Sequence, residues 1–153
     1  MFRLVRSHWL AGGAALFALV LATATVSAAP SMNLQGYWLT ANGHGVVQIA
    51  RCGNEFCGRI VGIDRTAGEP MPTDAQGRPQ CGLTIITTDS IDPAGIWHGE
   101  ITDPRDGHSY QARLSVGPGG DLRLRVFIGL PELGATQVWH RFTGQLAADC
   151  RIA

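Results

Sequence analysis

Beyond position 30, four cysteines, four histidines and several paired aspartates are the side chains that could do chemistry, and their spacing limits what that chemistry can be. Cys52 and Cys57 are separated by four residues, which is neither the Cys-x-x-Cys of thiol oxidoreductases nor a complete zinc set. His44, His98, His108 and His140 show no His-x-x-x-His and no glutamate-paired spacing, so no metal site is indicated. Ser109 follows His108, but neighbours on a strand point to opposite faces, which separates a base from its nucleophile. The nearest carboxylate pairs are Asp89 with Asp92 and Asp103 with Asp106. Both stand in turn contexts, where aspartate serves the backbone. The Asp103-Pro104-Arg105-Asp106-Gly107 run also lacks the ligand count of a calcium loop. No nucleophile elbow, phosphate loop or dinucleotide fingerprint occurs, and the absence of lysine removes Schiff-base chemistry. The residues point away from an enzyme and call for no cofactor.

The cysteines are then most simply two disulfides, for which three pairings exist. Cys52 and Cys57 flank the turn-forming Gly53-Asn54-Glu55-Phe56 and can face each other across a hairpin. Cys81 with Cys150 would pin a long loop and the C-terminal tail to the body. By loop closure that bridge contributes on the order of 4 kcal/mol, and the hairpin ring less.

Disulfides imply export, and the first 28 residues read as a secretory signal. Arg3 and Arg6 are followed by an apolar run from Leu10 to Val26 and the small residues Val26-Ser27-Ala28. Cleavage is expected after Ala28, leaving residues 29–153 as one domain with no transmembrane segment. The competing reading, a retained anchor, requires a span from about 17 residues rich in Ala and Gly, at the short limit. The remaining 125 residues suffice for one modest core. Without Arg3 and Arg6 there are ten arginines against twelve acids, a net charge of −2 that argues against nucleic-acid binding.

The elements that must position these residues are strands. Period-two alternation recurs between Gly, Asp and Pro punctuation, predicting strands over 35–41, 45–52, 57–63, 83–88, 96–102, 108–116, 121–129 and 135–142. Their number and spacing describe an all-β, up-and-down antiparallel barrel. Tyr110, Ala112, Leu114 and Val116 share one face, as do Leu122, Leu124, Val126 and Ile128, and these aliphatic faces should point inward. Arg113, Arg123 and Arg125 then face outward, towards water or carboxylates of a neighbouring strand. The segment Asp64 to Gly82, with prolines at 70, 72 and 79, is too long for a bare turn and has the length of a lid or functional rim. A plain surface loop tied down by Cys81 is the competing reading.

Five ordered blocks carry a family resemblance: Gly36-Tyr37-Trp38; Cys57-Gly58-Arg59-Ile60-Val61; Asp103-Pro104-x-Asp106-Gly107-x-x-Tyr110; Leu124-Arg125-x-Phe127-x-Gly129; and Leu133-Gly134-x-Thr136-Gln137-x-Trp139-x-Arg141. Together they resemble the bacterial exported family called domain of unknown function 2147. Where that family has Gly-Tyr after the arginine of the fourth block, this chain has Val126-Phe127, which removes a hydroxyl. The resemblance implies a periplasmic or secreted barrel, lipocalin-like in outline, with no established activity and no catalytic residues to carry over. It singles out Tyr110, Arg125, Trp139 and Arg141 as rim, pocket or construction residues. Gly36 and Trp38 on the first strand with Arg141 on the last resemble the closure of lipocalin-like barrels, where indole and guanidinium stack across the seam.

Three functions follow. The first is a module binding a small apolar or amphiphilic ligand, lined by Trp97, Tyr110, Leu124, Arg125 and Trp139. The second is an envelope interaction or structural protein, which predicts a packed interior and an exposed apolar patch. The third, a hydrolase, requires at least two titratable side chains converging in one cleft.

Overall fold

The computed structural model describes residues 33–153, so the expected signal segment, 1–28, and residues 29–32 lie outside the described residues. Eight strands, β1 (Gly36–Leu39), β2 (Gly45–Cys52), β3 (Glu55–Ile63), β4 (Thr84–Ile91), β5 (Trp97–Thr102), β6 (Ser109–Val116), β7 (Leu122–Phe127) and β8 (Ala135–Arg141), follow one another round a closed antiparallel barrel. The short turns alternate ends because each sequence break carries turn chemistry. In Asp103–His108, for example, the Arg105 and His108 backbone N–H groups donate to the Asp103 and Asp106 carboxylates, and Gly107 takes φ 77°.

Period-two alternation places the apolar faces inward, where Val47, Ile49, Phe56, Ile86, Ala112, Leu114, Leu122 and Leu124 form one cluster with Trp38, Trp97 and Trp139. An eight-stranded barrel has an interior just wide enough for side chains to fill. At one end, Phe56 and Trp97 meet edge to face, with centroids 4.9 Å apart, and the Arg51 guanidinium covers Phe56 at 4.3 Å. The inward alternation fails at one residue, Ile128. It is 75% exposed because β7 stops at Phe127 and Gly129 turns the chain away at φ 73°. β4 runs to Ile91, three residues past the sequence boundary, with a register shift between Thr88 and Ser90.

The seam between β1 and β8 is short. Only Trp38 with Arg141 and Leu39 with His140 pair there, so side chains complete the closure. The Arg141 guanidinium carbon lies 3.9 Å from the Trp38 ring centroid, and its amino groups donate to the Gln35 carbonyl at 2.6 Å and, at 3.5 Å, towards that of Asn33. Trp38, fully buried, donates from Nε1 to the Leu34 carbonyl at 2.9 Å, which satisfies its polar edge. Gly36 has φ 141°, and a Cβ there would collide with the Arg141 guanidinium. Glycine, indole and guanidinium thus form one closure unit.

The disulfides are Cys52–Cys57 and Cys81–Cys150. The first staples the β2–β3 hairpin. The second ties the 64–83 loop to the C-terminal tail, which also bonds to the end of β3 through Ile63 N–H to Cys150 O and Ile152 N–H to Ile63 O. Within that loop the buried carboxylate of Asp74 accepts backbone N–H bonds from Gln76 and Arg78 and a 2.7 Å bond from Arg78 Nε. Burial alone would raise its pKa, but the Arg78 backbone and guanidinium donors outweigh it and hold the carboxyl below its usual range. Ala75 N–H reaches the Pro104 carbonyl, so the loop is fastened to the β5–β6 turn as well. None of the described helical segments is long and apolar enough to cross a membrane.

Candidate functional site

A groove of about 330 Å³ lies on the outer face of the barrel, across β4 to β7. Its floor is set by register. His98 pairs with Arg113 and Glu100 with Gln111, while on the next strand Phe127 lies opposite Gln111. These five outward side chains line the groove, and the β4 bulge brings Asp89 to its edge. The bulge needs Gly99 beneath it, because a Cβ at that position would strike the Thr87 carbonyl and approach Thr88 Cα to 2.6 Å.

The far wall is the β7–β8 connection folded back over β7. Arg125 holds it there. Its Nε donates to the Pro131 carbonyl at 2.9 Å, one amino group donates to the Glu132 carbonyl at 3.1 Å, and the other to Thr136 Oγ1 at 3.0 Å. A 3₁₀ turn, Pro131–Leu133, then returns the chain to β8 through Gly134. A Cβ on Gly134 would meet the Val126 carbonyl and lie 2.7 Å from Phe127 Cβ. Gly129 and Pro131 face the groove from this wall. The fourth and fifth sequence blocks, with Arg125, Phe127, Gly129, Gly134 and Thr136, are therefore the residues that build it.

The groove contains charges of both signs. The Arg113 guanidinium lies 5.6 Å from the Phe127 ring centroid, and its Nε is buried with no hydrogen-bond partner among the described residues. Among the described residues its charge meets no carboxylate within ion-pair distance, and Arg125, expected to meet water or carboxylates, meets carbonyls instead. Glu100 likewise has no ion pair among the described residues. His98 Nε2 lies 3.1 Å from Asp92 Oδ2. The hydrogen bond with His98, followed by the Ile96 and Ala94 backbone donors, holds the Asp92 carboxyl below its usual range. Asp89, His98 and Glu100 thus converge in one cleft, but the lining contains no serine, threonine or cysteine to act as nucleophile.

The five residues expected to line a ligand are distributed differently. Trp97, Leu124 and Trp139 belong to the packed cluster, where Leu124 is fully buried. Trp139 Nε1 donates to Gln137 at 2.8 Å, whereas Trp97 Nε1 is buried without a partner among the described residues. Tyr110 is half-buried opposite Ile101, and Arg125 anchors the groove wall from outside the barrel. None of the five lines the outer-face groove. The 64–83 loop does not line it either. Sequence reasoning placed Arg113 on the outer face but missed Asp89, Glu100, Gln111 and Phe127 as its neighbours. The only signal for them was the outward parity of each strand, and register was needed to bring them together.

Among the described residues there is no group of three or more histidine, cysteine or acidic side chains arranged to hold a metal ion. No curated protein and no solved structure matches the chain significantly. Residues 36–141, from the closure glycine to the closure arginine, match the family described as "Uncharacterized protein conserved in bacteria (DUF2147)", and the chain belongs to that family.

Proposed function

We propose that the protein is an exported, periplasmic or secreted binding module that captures a small amphiphilic solute in the groove on the outer face of β4 to β7. The observation that carries this reading is the contrast in space. Three tryptophans, a phenylalanine and aliphatic side chains occupy the barrel interior, whereas the groove lies outside it, beside charges with no ion pair among the described residues. Its volume is at the lower end for ligand pockets, which suits a metabolite rather than a lipid tail. The signal-like first 28 residues and the two disulfides support an extracytoplasmic location.

Isotope-labelled protein titrated with the low-molecular-mass fraction of an envelope extract tests the reading. Backbone amide shifts are expected at Gly99, Gln111, Arg113 and Gly129, with the bound solute recovered chemically unchanged. Shifts centred on Trp38, Leu124 and Trp139 would move the ligand into the barrel and defeat the proposal. Convergence of Asp89, His98 and Glu100 favours a second reading, hydrolysis, and recovery of cleaved solute would establish it in place of binding.

A further inference from the structure

We infer that the groove recognises a small zwitterion carrying both a carboxylate and an ammonium group, of the size of an amino acid or dipeptide; this rests on the outer-face reading above. Arg113 and Glu100 occupy diagonal positions on adjacent strands, since Glu100 is opposite Gln111 and Arg113 opposite His98. Such positions place Cβ atoms about 7 Å apart. No ion pair joins the two side chains among the described residues, so each presents its charge to the same cavity.

A lone anion in this groove would meet Arg113 but also the carboxylates of Asp89 and Glu100. A lone cation would meet those acids and the guanidinium. A ligand with both signs finds a complementary group at each end and avoids the like-charge penalty. Arg113 also carries an independent mark of an incomplete contact. Its Nε is shielded from water with no acceptor among the described residues, a state that costs free energy. The planar guanidinium, with Phe127 on one side, can offer paired in-plane donors to a carboxylate. The ring of Phe127 and the adjacent Pro131 supply apolar surface for a side chain between the two charged ends.

Glycyl-leucine, its N-acetyl form and its C-terminal amide, titrated separately and followed by amide shifts, test the inference. Glycyl-leucine is expected to shift the groove residues and to bind at least tenfold more tightly than either blocked peptide. Arg113→Gln should erase the preference over the amide while keeping the preference over the N-acetyl form, and Glu100→Gln should do the reverse. Thermal melting of both variants checks that they remain folded. Equal binding of the three peptides, no shifts at millimolar peptide, or unchanged discrimination in both folded variants would overturn the inference. If the peptides fail while the envelope fraction still shifts the groove, the zwitterion is wrong and the outer-face site stands. If the envelope fraction shifts the interior, both fall.

Discussion

Arginine lies over an aromatic ring at three places in this barrel, and two of these contacts, at the seam and over the groove, differ in what else the guanidinium touches. At the seam, Arg141 sits 3.9 Å from the Trp38 centroid and donates to the Gln35 carbonyl, with Gly36 leaving it room. Over the groove, Arg113 lies 5.6 Å from the Phe127 centroid with a buried Nε that donates to nothing among the described residues. The ring contact is the same kind of interaction in both. Hydrogen-bond saturation separates them: the satisfied Arg141 belongs to the closure, and the unsatisfied Arg113 is the group that the proposed binding role uses. Composition does not distinguish these roles, since both side chains are outnumbered by similar arginines along the chain.

The contrast can be broken first at the seam. Trp38→Ala should cost about 3–5 kcal/mol, as for other large-to-small changes at fully buried aromatics, and denaturant unfolding measures it. A variant within about 1 kcal/mol of the parent would show that the indole does not close the barrel. Arg141→Met, which keeps bulk but removes charge and donors, should cost about 2 kcal/mol, since a partly desolvated stack and a charged hydrogen bond are both lost.

Acid sharpens the comparison, because the seam arginine bonds to carbonyls that do not titrate. The pH-dependent part of stability must come from groups such as Asp74 and Asp103. Both carboxyls are held below the ordinary value of 3.8, Asp74 by Arg78 donors against burial and Asp103 chiefly by the Arg105 side chain. Folded values below unfolded ones mean that the stabilisation is fully present above the unfolded pKa and is lost as pH falls through the folded value. Melting temperature should therefore be flat from neutral pH to about 5 and fall below about 4. Asp74→Asn should flatten that fall, and a slope unchanged in this variant would exclude the 74–78 contact as its source. The smallest effect is at the groove. Arg113→Met should shift stability by no more than about 0.5 kcal/mol, and a loss comparable with that of Arg141→Met would place Arg113 among the construction residues instead.

Much of the fold was legible in the sequence because alternation and turn chemistry are local. Leu122 and Leu124 point inward and Arg123 outward simply because a strand has period two, and the Gly36-Tyr37-Trp38 bracket with Arg141 identifies the seam. Local rules fail where an element ends early. The same parity that placed Leu124 correctly put Ile128 inside, because nothing in Ile128 itself reveals that the strand stops one residue before it. The groove was out of reach for a different reason. Asp89, Glu100, Arg113 and Phe127 come from four strands and become neighbours only through registers that include a bulge. Parity assigned Arg125 to the outside but could not say that it would turn to the carbonyls of its own loop.

That last contact has a consequence for how the protein can change. Arg125 grips main-chain oxygens of Pro131 and Glu132, and the Thr136 hydroxyl is the one side chain of the wall among its described hydrogen bonds. Leu130 and Leu133 are exposed at 60% and 80%, so their identities are not fixed by packing. The frame is thus decoupled from the lettering on it. Under the binding role proposed above, substitutions along the wall would retune what the groove selects without a fresh solution to folding.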